Sequence, residues 1–210
     1  MSQIATTRDL DRTKADILQA ATEEFTRLGY FGARVDGIAA ATSTTKRMIY
    51  YCFGSKDGLF RACLQAALGG IRAYEQEMHL ADLPPREAIA AYVKGTILYH
   101  EAHPEVARLV REENIVGAMH VDDQDQPANR PIVVTLEEVL ARGRESGELR
   151  SDVTAIQVHV AVTSLSNFRI TNAATIESIF GHDMRDPERL ESDLGHFVDM
   201  ILGWLTRQPS

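Results

Sequence analysis

Apolar side chains recur along this chain at the spacing of an α-helix and almost nowhere at the alternation of a strand. Ile17, Ala21, Phe25 and Leu28 fall at i, i+4, i+8 and i+11, with Leu18 beside them, and define a first amphipathic helix. Thr13 and Asp16 read as its N-terminal cap pair and Gly29 as its stop. A short second helix fits Val35 to Ala41, with Val35, Ile38 and Ala39 inward. Thr42-Ser43-Thr44-Thr45 follows as a turn, because hydroxyl side chains compete for nearby backbone amides. Lys46 to Phe53 is a third helix, broken by Gly54-Ser55, and Ser55 caps a fourth running from Lys56 to about Met78. Beyond Pro84-Pro85, helices are expected over 86–102, 104–119, 129–146, 153–173 and 187–206. Pro104 suits a first helical position, and Ser151 or Asp152 suits a cap. Between them, His120 to Arg130, with Asp122, Asp123 and Asp125, reads as a solvated loop. Val158 to Val162 alternates, but Ile156, Leu165 and Phe168 fit helical spacing better. An all-α fold is the expectation.

Composition narrows the class. The 210 residues are 44% hydrophobic and 25% charged, an ordinary globular balance. No apolar run approaches the ~18 to 20 residues of a membrane span. Residues Met1 to Asp11 contain no apolar core of a secretory signal, and two cysteines, Cys52 and Cys63, sit inside helical patterns. A cytoplasmic protein with no membrane partner is expected. The net charge is −8, yet the distribution is uneven: residues 1–60 carry eight basic against seven acidic side chains. From Arg34 to Lys56 there are four basic residues and one acidic, Asp36. A basic patch on an otherwise acidic chain suits a polyanion met by that patch alone.

The third helix carries the specific signal. At 100° per residue, Lys46, Arg47, Tyr50 and Tyr51 share one side, and Met48, Ile49, Cys52 and Phe53 share the other. Two turns of helix persist only if the apolar side is packed, which leaves the cationic and aromatic side outward. Short helix, polar turn and short basic helix form a helix-turn-helix, whose second helix enters the DNA major groove. Thr44 and Thr45 place hydroxyls and free amides where a phosphate docks. Lys46 and Arg47 lie at the groove-entering end, where arginine pairs with guanine O6 and N7. Tyr50 and Tyr51 offer flat apolar rings and hydroxyls, while Lys56 and Arg34 suit the DNA backbone.

The run Gly29-Tyr30, Val35, Ile38-Ala39, Thr45-Lys46, Ile49-Tyr50-Tyr51-Cys52-Phe53 and Ser55-Lys56-Asp57-Gly58-Leu59-Phe60 resembles the DNA-binding region of TetR-family transcriptional regulators. Ile17-Leu18, Ala20-Ala21 and Phe25 fit that family's first helix, so the likeness covers about residues 10–60. Ser43-Thr44 replaces the usual glycine-valine of the turn, Arg47-Met48 the usual glycine-threonine, and Arg34 a small hydroxyl residue. The operator of relatives therefore does not transfer. Residues 103–114 and 147–180 resemble the C-terminal domain of one large regulator subgroup.

The resemblance implies a DNA-binding domain over 1–56 and an all-helical effector-binding and dimerisation domain over 57–210. Residues 153–173 are apolar on more than one face, as a helix covered by its own domain and by a second copy would be. Residues 187–206 carry one stripe, Leu190, Leu194, Phe197, Val198, Ile201 and Leu205. Two such helices per subunit fit a four-helix contact about a two-fold axis, and a two-fold protein reads palindromic double-stranded DNA. Candidate effector contacts are polar or aromatic residues in apolar helical context: Tyr99, His100, Arg111, Asn114, Asn167 and Phe168, with Arg108 and Asn172 nearby in sequence.

No catalytic, metal or cofactor signature stands beside these. His100-Glu101-Ala102-His103 is one residue short of a zinc-protease helix and is followed by Pro104, and Asp123-Gln124-Asp125 lacks a calcium loop's glycine. The expected function is a homodimeric one-component regulator, a repressor released from a palindromic operator by an unidentified small molecule. An activator of the same fold, or a helical protein-interaction module docking through Tyr50 and Tyr51, remains the alternative.

Overall fold

The computed structural model describes residues 7–121 and 131–207. The loop expected over His120–Arg130 lies, from Asp122 on, outside the described residues, as does the expected start of the helix at 129. Among the described residues every α-helix of the sequence pattern is present and no strand forms. They are α1 (Thr7–Gly32), α2 (Val35–Ala41), α3 (Lys46–Phe53), α4 (Lys56–Glu77), α5 (Pro85–Ala102), α6 (Pro104–Ile115), α7 (Pro131–Glu145), α8 (Ala155–Phe180) and α9 (Pro187–Thr206), with a short 3-10 turn at Leu80–Asp82 that the sequence did not announce.

Several ends differ from expectation for identifiable reasons. Thr13 does not cap α1, because its hydroxyl donates to the Asp9 carbonyl at 2.8 Å, inside a helix already under way. Gly29 takes φ 72° and ψ 169°, which breaks α1 there, and one further turn runs on to Gly32. α6 stops at Ile115 rather than 119: Gly117 and Ala118 adopt positive φ, and their amides return to Asn114 and Glu113. α8 starts at Ala155 because Asp152 is held by both ends of the Arg150 guanidinium, at 2.5 and 2.6 Å. Thr154 takes the cap position instead, its amide donating to Gln157 at 2.9 Å.

Packing divides the chain into two compact units, at boundaries other than the 56/57 division expected from sequence. The first holds the described residues up to Gly69 together with Arg108–Val121. Its core is Ile17, Ala21, Phe25, Val35, Ile38, Ile49, Leu59, Phe60, Cys63, Leu64 and Leu109. Leu59, Phe60, Cys63 and Leu64 of α4 are buried there, so the residues from 57 to Gly69, beyond a break at 56, belong to this unit. The second unit comprises Gly70–Ala107 and the described residues from Pro131 on. Tyr92, Val93 and Ile97 of α5, Leu136 and Leu140 of α7, Val158 and Val162 of α8, and Ile201 and Leu205 of α9 form its centre. One cation is sealed inside it: Arg169 donates to Glu101 at 2.8 Å, to Asp193 and to the Met184 carbonyl. A buried guanidinium survives only with such full pairing.

The turn joining α3 to α4 is tightly drawn. Gly54 ends α3 at φ 76°, its amide reaching the Tyr50 carbonyl at 2.8 Å, and Ser55 Oγ caps α4 by accepting from the Gly58 amide at 3.0 Å. A Cβ at Gly58 would overlap the Phe53 carbonyl oxygen, whereas one at Gly69, on the same helix, would meet nothing. Gly69→Ala is therefore expected to raise stability by up to about 1 kcal/mol through helix propensity alone. Gly58→Ala should lower it despite the same gain; denaturant unfolding of the two variants checks the opposite signs.

Candidate nucleic-acid interface

An eight-residue helix is held in place by what it buries. Ile49 of α3 is wholly buried in the first core, with Cys52 and Phe53 packed beside it. Thr45 caps the helix, its hydroxyl accepting from the Met48 amide at 3.2 Å. With that side fixed, Lys46 and Arg47 are exposed in the first turn, which contains no acidic residue. Tyr51 is 73% exposed and Tyr50 40% exposed. The structure thus gathers Lys46, Arg47, Tyr50 and Tyr51 on one open face. Arg34 is exposed immediately ahead of α2, where it makes no side-chain cap, and Thr44 is half-buried in the turn.

The cations are not equivalent. Lys46 Nζ lies 3.0 Å from the Asp36 carboxylate of α2, and this bond raises the ammonium pKa above its ordinary value. Lys56 stands with its ammonium 4.9 Å from the centroid of the Tyr30 ring, and Tyr30 donates its hydroxyl to Asp57. Both partners escaped the sequence argument. Asp36 had figured only as the one acidic residue of a basic stretch, and Tyr30 only as a motif letter. The ten-residue spacing of Asp36 and Lys46 across the turn is the signal that was there to be used.

The candidate effector residues separate. Arg111 and Asn114 are exposed residues of the first unit; Arg111 pairs with Glu112 at 3.1 Å, and the Asn114 amide donates to the Val110 carbonyl of its own helix. Phe168, also placed among the pocket residues, is 48% exposed on the outer side of α8, opposite Val158 and Val162. Helical phase puts Arg111 and Phe168 on the outward sides of their helices, and Asn114, in phase with buried Ala107, is exposed at the end of α6.

Tyr99, His100 and Asn167 remain in the second unit. His100 is buried with Nδ1 2.7 Å from Ser166 Oγ, and burial, with His159 and His103 nearby, lowers its pKa to about 4. Tyr99 stacks on His103 at 4.4 Å and meets Tyr74 at 5.0 Å, with Gly70 leaving room for its hydroxyl. Asn167 is half-buried on α8.

Further polar groups share this interior without having been foreseen. Tyr92 Oη lies 2.7 Å from His159 Nδ1, and burial lowers the pKa of that histidine as well. Burial pushes the Glu75 carboxyl up to about 7. A cavity of about 20 Å³ beside Glu75, lined also by Arg72, Gln76, Pro131, Ile132 and Thr135, has room for one water and is too small for an effector. Among the described residues no group of three or more metal-ligating side chains comes together, so His100 and His103 stand without a third ligand. No described helix is long and apolar enough to cross a membrane.

Comparison with known proteins assigns this geometry. Residues 17–63 match the model of bacterial regulatory proteins of the tetR family, and residues 85–201 match the tetracyclin repressor-like C-terminal domain. The transcriptional repressor NicS of Pseudomonas putida is 28% identical over 199 residues, 94% of each chain. The repressor SCO4008 of Streptomyces coelicolor is 28% identical over 169 residues, covering 78% of this chain and 81% of that one. The crystal structure of the regulator PfmR from Thermus thermophilus superposes with a TM-score of 0.67 at 25% identity, over 97% of this chain and all of that one. With a helix-turn-helix whose basic face is bare and two domain models that together span most of its length, the chain belongs to the TetR family of DNA-binding transcriptional regulators.

Proposed function

We propose that the protein is a cytoplasmic repressor that binds a palindromic operator as a homodimer and releases it when a small molecule enters the second unit. The observation that carries the first half is α3: a helix anchored by Ile49 whose opposite side presents Arg47, Tyr50 and Tyr51 to solvent. DNA contacts are confined to residues 1–56, with Arg47 and Lys46 at base edges, Tyr50 and Tyr51 beside them, and Arg34, Thr44, Thr45 and Lys56 on phosphates. The names of the NicS and SCO4008 relatives, both repressors, support the direction of control.

Support for the dimer comes from α8. Ile156 and Val160 are 51% and 53% exposed on the side opposite Val158 and Val162, an apolar strip that a lone chain leaves in water. The same strip on a second copy forms a two-fold contact, and a two-fold pair of α3 helices requires two half-sites related in the same way. For the effector, Tyr99, His100 and Asn167, with Tyr92 and His159, supply hydrogen-bonding groups inside an apolar bundle. Arg111, Asn114 and Phe168 are less favoured by their exposure. An effector that prefers a conformation unable to bind DNA shifts the population away from the operator, by no more than its difference in affinity for the two states.

The test begins with duplexes selected from a random pool by the wild-type protein, and footprinting of the recovered sequence. Enrichment of an inverted repeat supports the proposal; failure to enrich any duplex overturns it. On that operator, Arg47→Ala should relax preference at one base position per half-site by about 1–3 kcal/mol. Lys56→Ala should weaken all sequences alike and reduce the salt dependence by about one ion per subunit. Asp36→Asn frees Lys46, so affinity should rise and the salt dependence should steepen. Anisotropy titrations at several salt concentrations read all three.

Proton linkage distinguishes the interior groups. His100 has a folded pKa of about 4, below its ordinary 6.5, so its contribution is complete above pH 6.5 and is lost as pH falls toward 4. Glu75, at about 7 against an ordinary 4.5, runs the other way: its burial penalty is complete above pH 7 and is relieved as pH falls toward 4.5. The two offset each other in the wild type. Between pH 7 and 5, His100→Asn should gain stability relative to wild type and Glu75→Gln should lose it, by up to about 1.4 kcal/mol per pH unit. Urea unfolding at the two pH values measures both slopes.

A further inference from the structure

One aromatic ring in the first unit stands beneath a candidate phosphate-contacting lysine and is held from behind by a buried histidine. We propose that Tyr30 is the positioning residue for Lys56, fixing its ammonium for a DNA phosphate, and that His120 is the wedge that fixes Tyr30. The proposal deepens the DNA-binding reading and rests on it, since a role in positioning presumes that Lys56 meets DNA.

The geometry is specific. A free lysine side chain samples many rotamers, and ordering it on a phosphate loses that freedom. Lys56 Nζ stands 4.9 Å from the Tyr30 centroid, inside the ~6 Å range of a cation–π contact, and Lys56 remains half-exposed. Asp57, the adjacent carboxylate, accepts the Tyr30 hydroxyl instead of lying idle beside the ammonium. The Tyr30 phenol accordingly has its pKa pushed up to about 12, by burial first and then by that bond.

The ring is packed by neighbours on several sides. Its amide donates to Glu112 at 3.0 Å, and Phe60 and Phe31 meet it edge-on at 5.1 and 5.3 Å. His120 lies against it at 5.0 Å and against Phe60 at 4.9 Å. His120 is clasped in turn by Glu113: its amide donates at 2.6 Å, its Nδ1 lies 2.7 Å from the second carboxylate oxygen, and the Val121 amide adds a bond at 3.1 Å.

The test uses full-length protein and the duplex that wild type selects from a random pool. Tyr30→Leu should weaken binding about two- to fivefold and bring the salt dependence toward that of Lys56→Ala. Tyr30→Phe, which keeps the ring, should restore affinity to within about twofold of wild type. In a Lys56→Ala background, Tyr30→Leu should add no further loss, because a residue acting through Lys56 has nothing left to position. Losses that add, or a folded Tyr30→Leu that binds like wild type, overturn the proposal. If Tyr30→Leu does not fold, the Lys56 ε-methylene proton resonances of wild-type protein decide: an upfield ring-current shift supports the contact, and ordinary lysine positions refute it. Should wild type select no duplex at all, the DNA-binding reading fails and this role falls with it. That outcome differs from normal operator binding with additive losses, which removes the positioning role alone.

Discussion

Burial of Ile49 is the contact on which the DNA-facing surface depends. Eight residues form too few internal hydrogen bonds to persist in water, so α3 exists where it does because one isoleucine is wholly buried in a core that residues of α1, α2, α4 and α6 share. Everything the outer face displays follows from that anchor. A helix pinned along one side by Ile49, Cys52 and Phe53 has no choice about where Arg47 and Tyr51 point. Loss of the anchor would release the basic face as well as the core, and binding and folding are therefore coupled at this position.

The electrostatics show a similar economy. The chain carries a net charge of −8, yet its candidate interface is basic, and the cations there are treated individually. Arg47 is exposed, Lys46 shares its charge with Asp36, and Lys56 rests on a ring. A surface of this kind is graded rather than uniformly positive, which limits attraction to arbitrary polyanions while leaving Arg47 as its least encumbered hydrogen-bonding cation. In the second unit the opposite strategy holds. Arg169 keeps its charge because Glu101, Asp193 and a carbonyl surround it, while His100 is held neutral by burial.

How much of this was legible in the sequence depends on the range of the interaction. The two faces of α3, the Thr45 cap, the Ser55 cap and the stop at Gly54 are local consequences of residue type and period, and each appeared where the spacing put it. Ends of helices failed where a side chain had a competing local bond: Thr13 turned back to Asp9, and Asp152 was taken by Arg150. The candidate pocket failed differently. Arg111, Asn114 and Phe168 sit in apolar stretches, but periodicity alone does not say which helical face meets which neighbour. Arg169 was invisible for the same reason, since its carboxylates lie 68 and 24 residues away along the chain. Pairing at that separation is a property of the fold, not of any window of sequence.

The junction between α3 and α4 carries one more implication. Its shape is set by Gly54, by the Ser55 hydroxyl, and by a glycine at 58 that leaves space for the Phe53 carbonyl, none of which is among the residues assigned to base edges. The angle of the reading head is thus specified separately from the letters it reads. Under the proposed DNA contacts, substitutions at Arg47, Tyr50 or Tyr51 change the preferred sequence while the mount stays unaltered, an arrangement that lets one scaffold diversify its targets by changing a few exposed side chains.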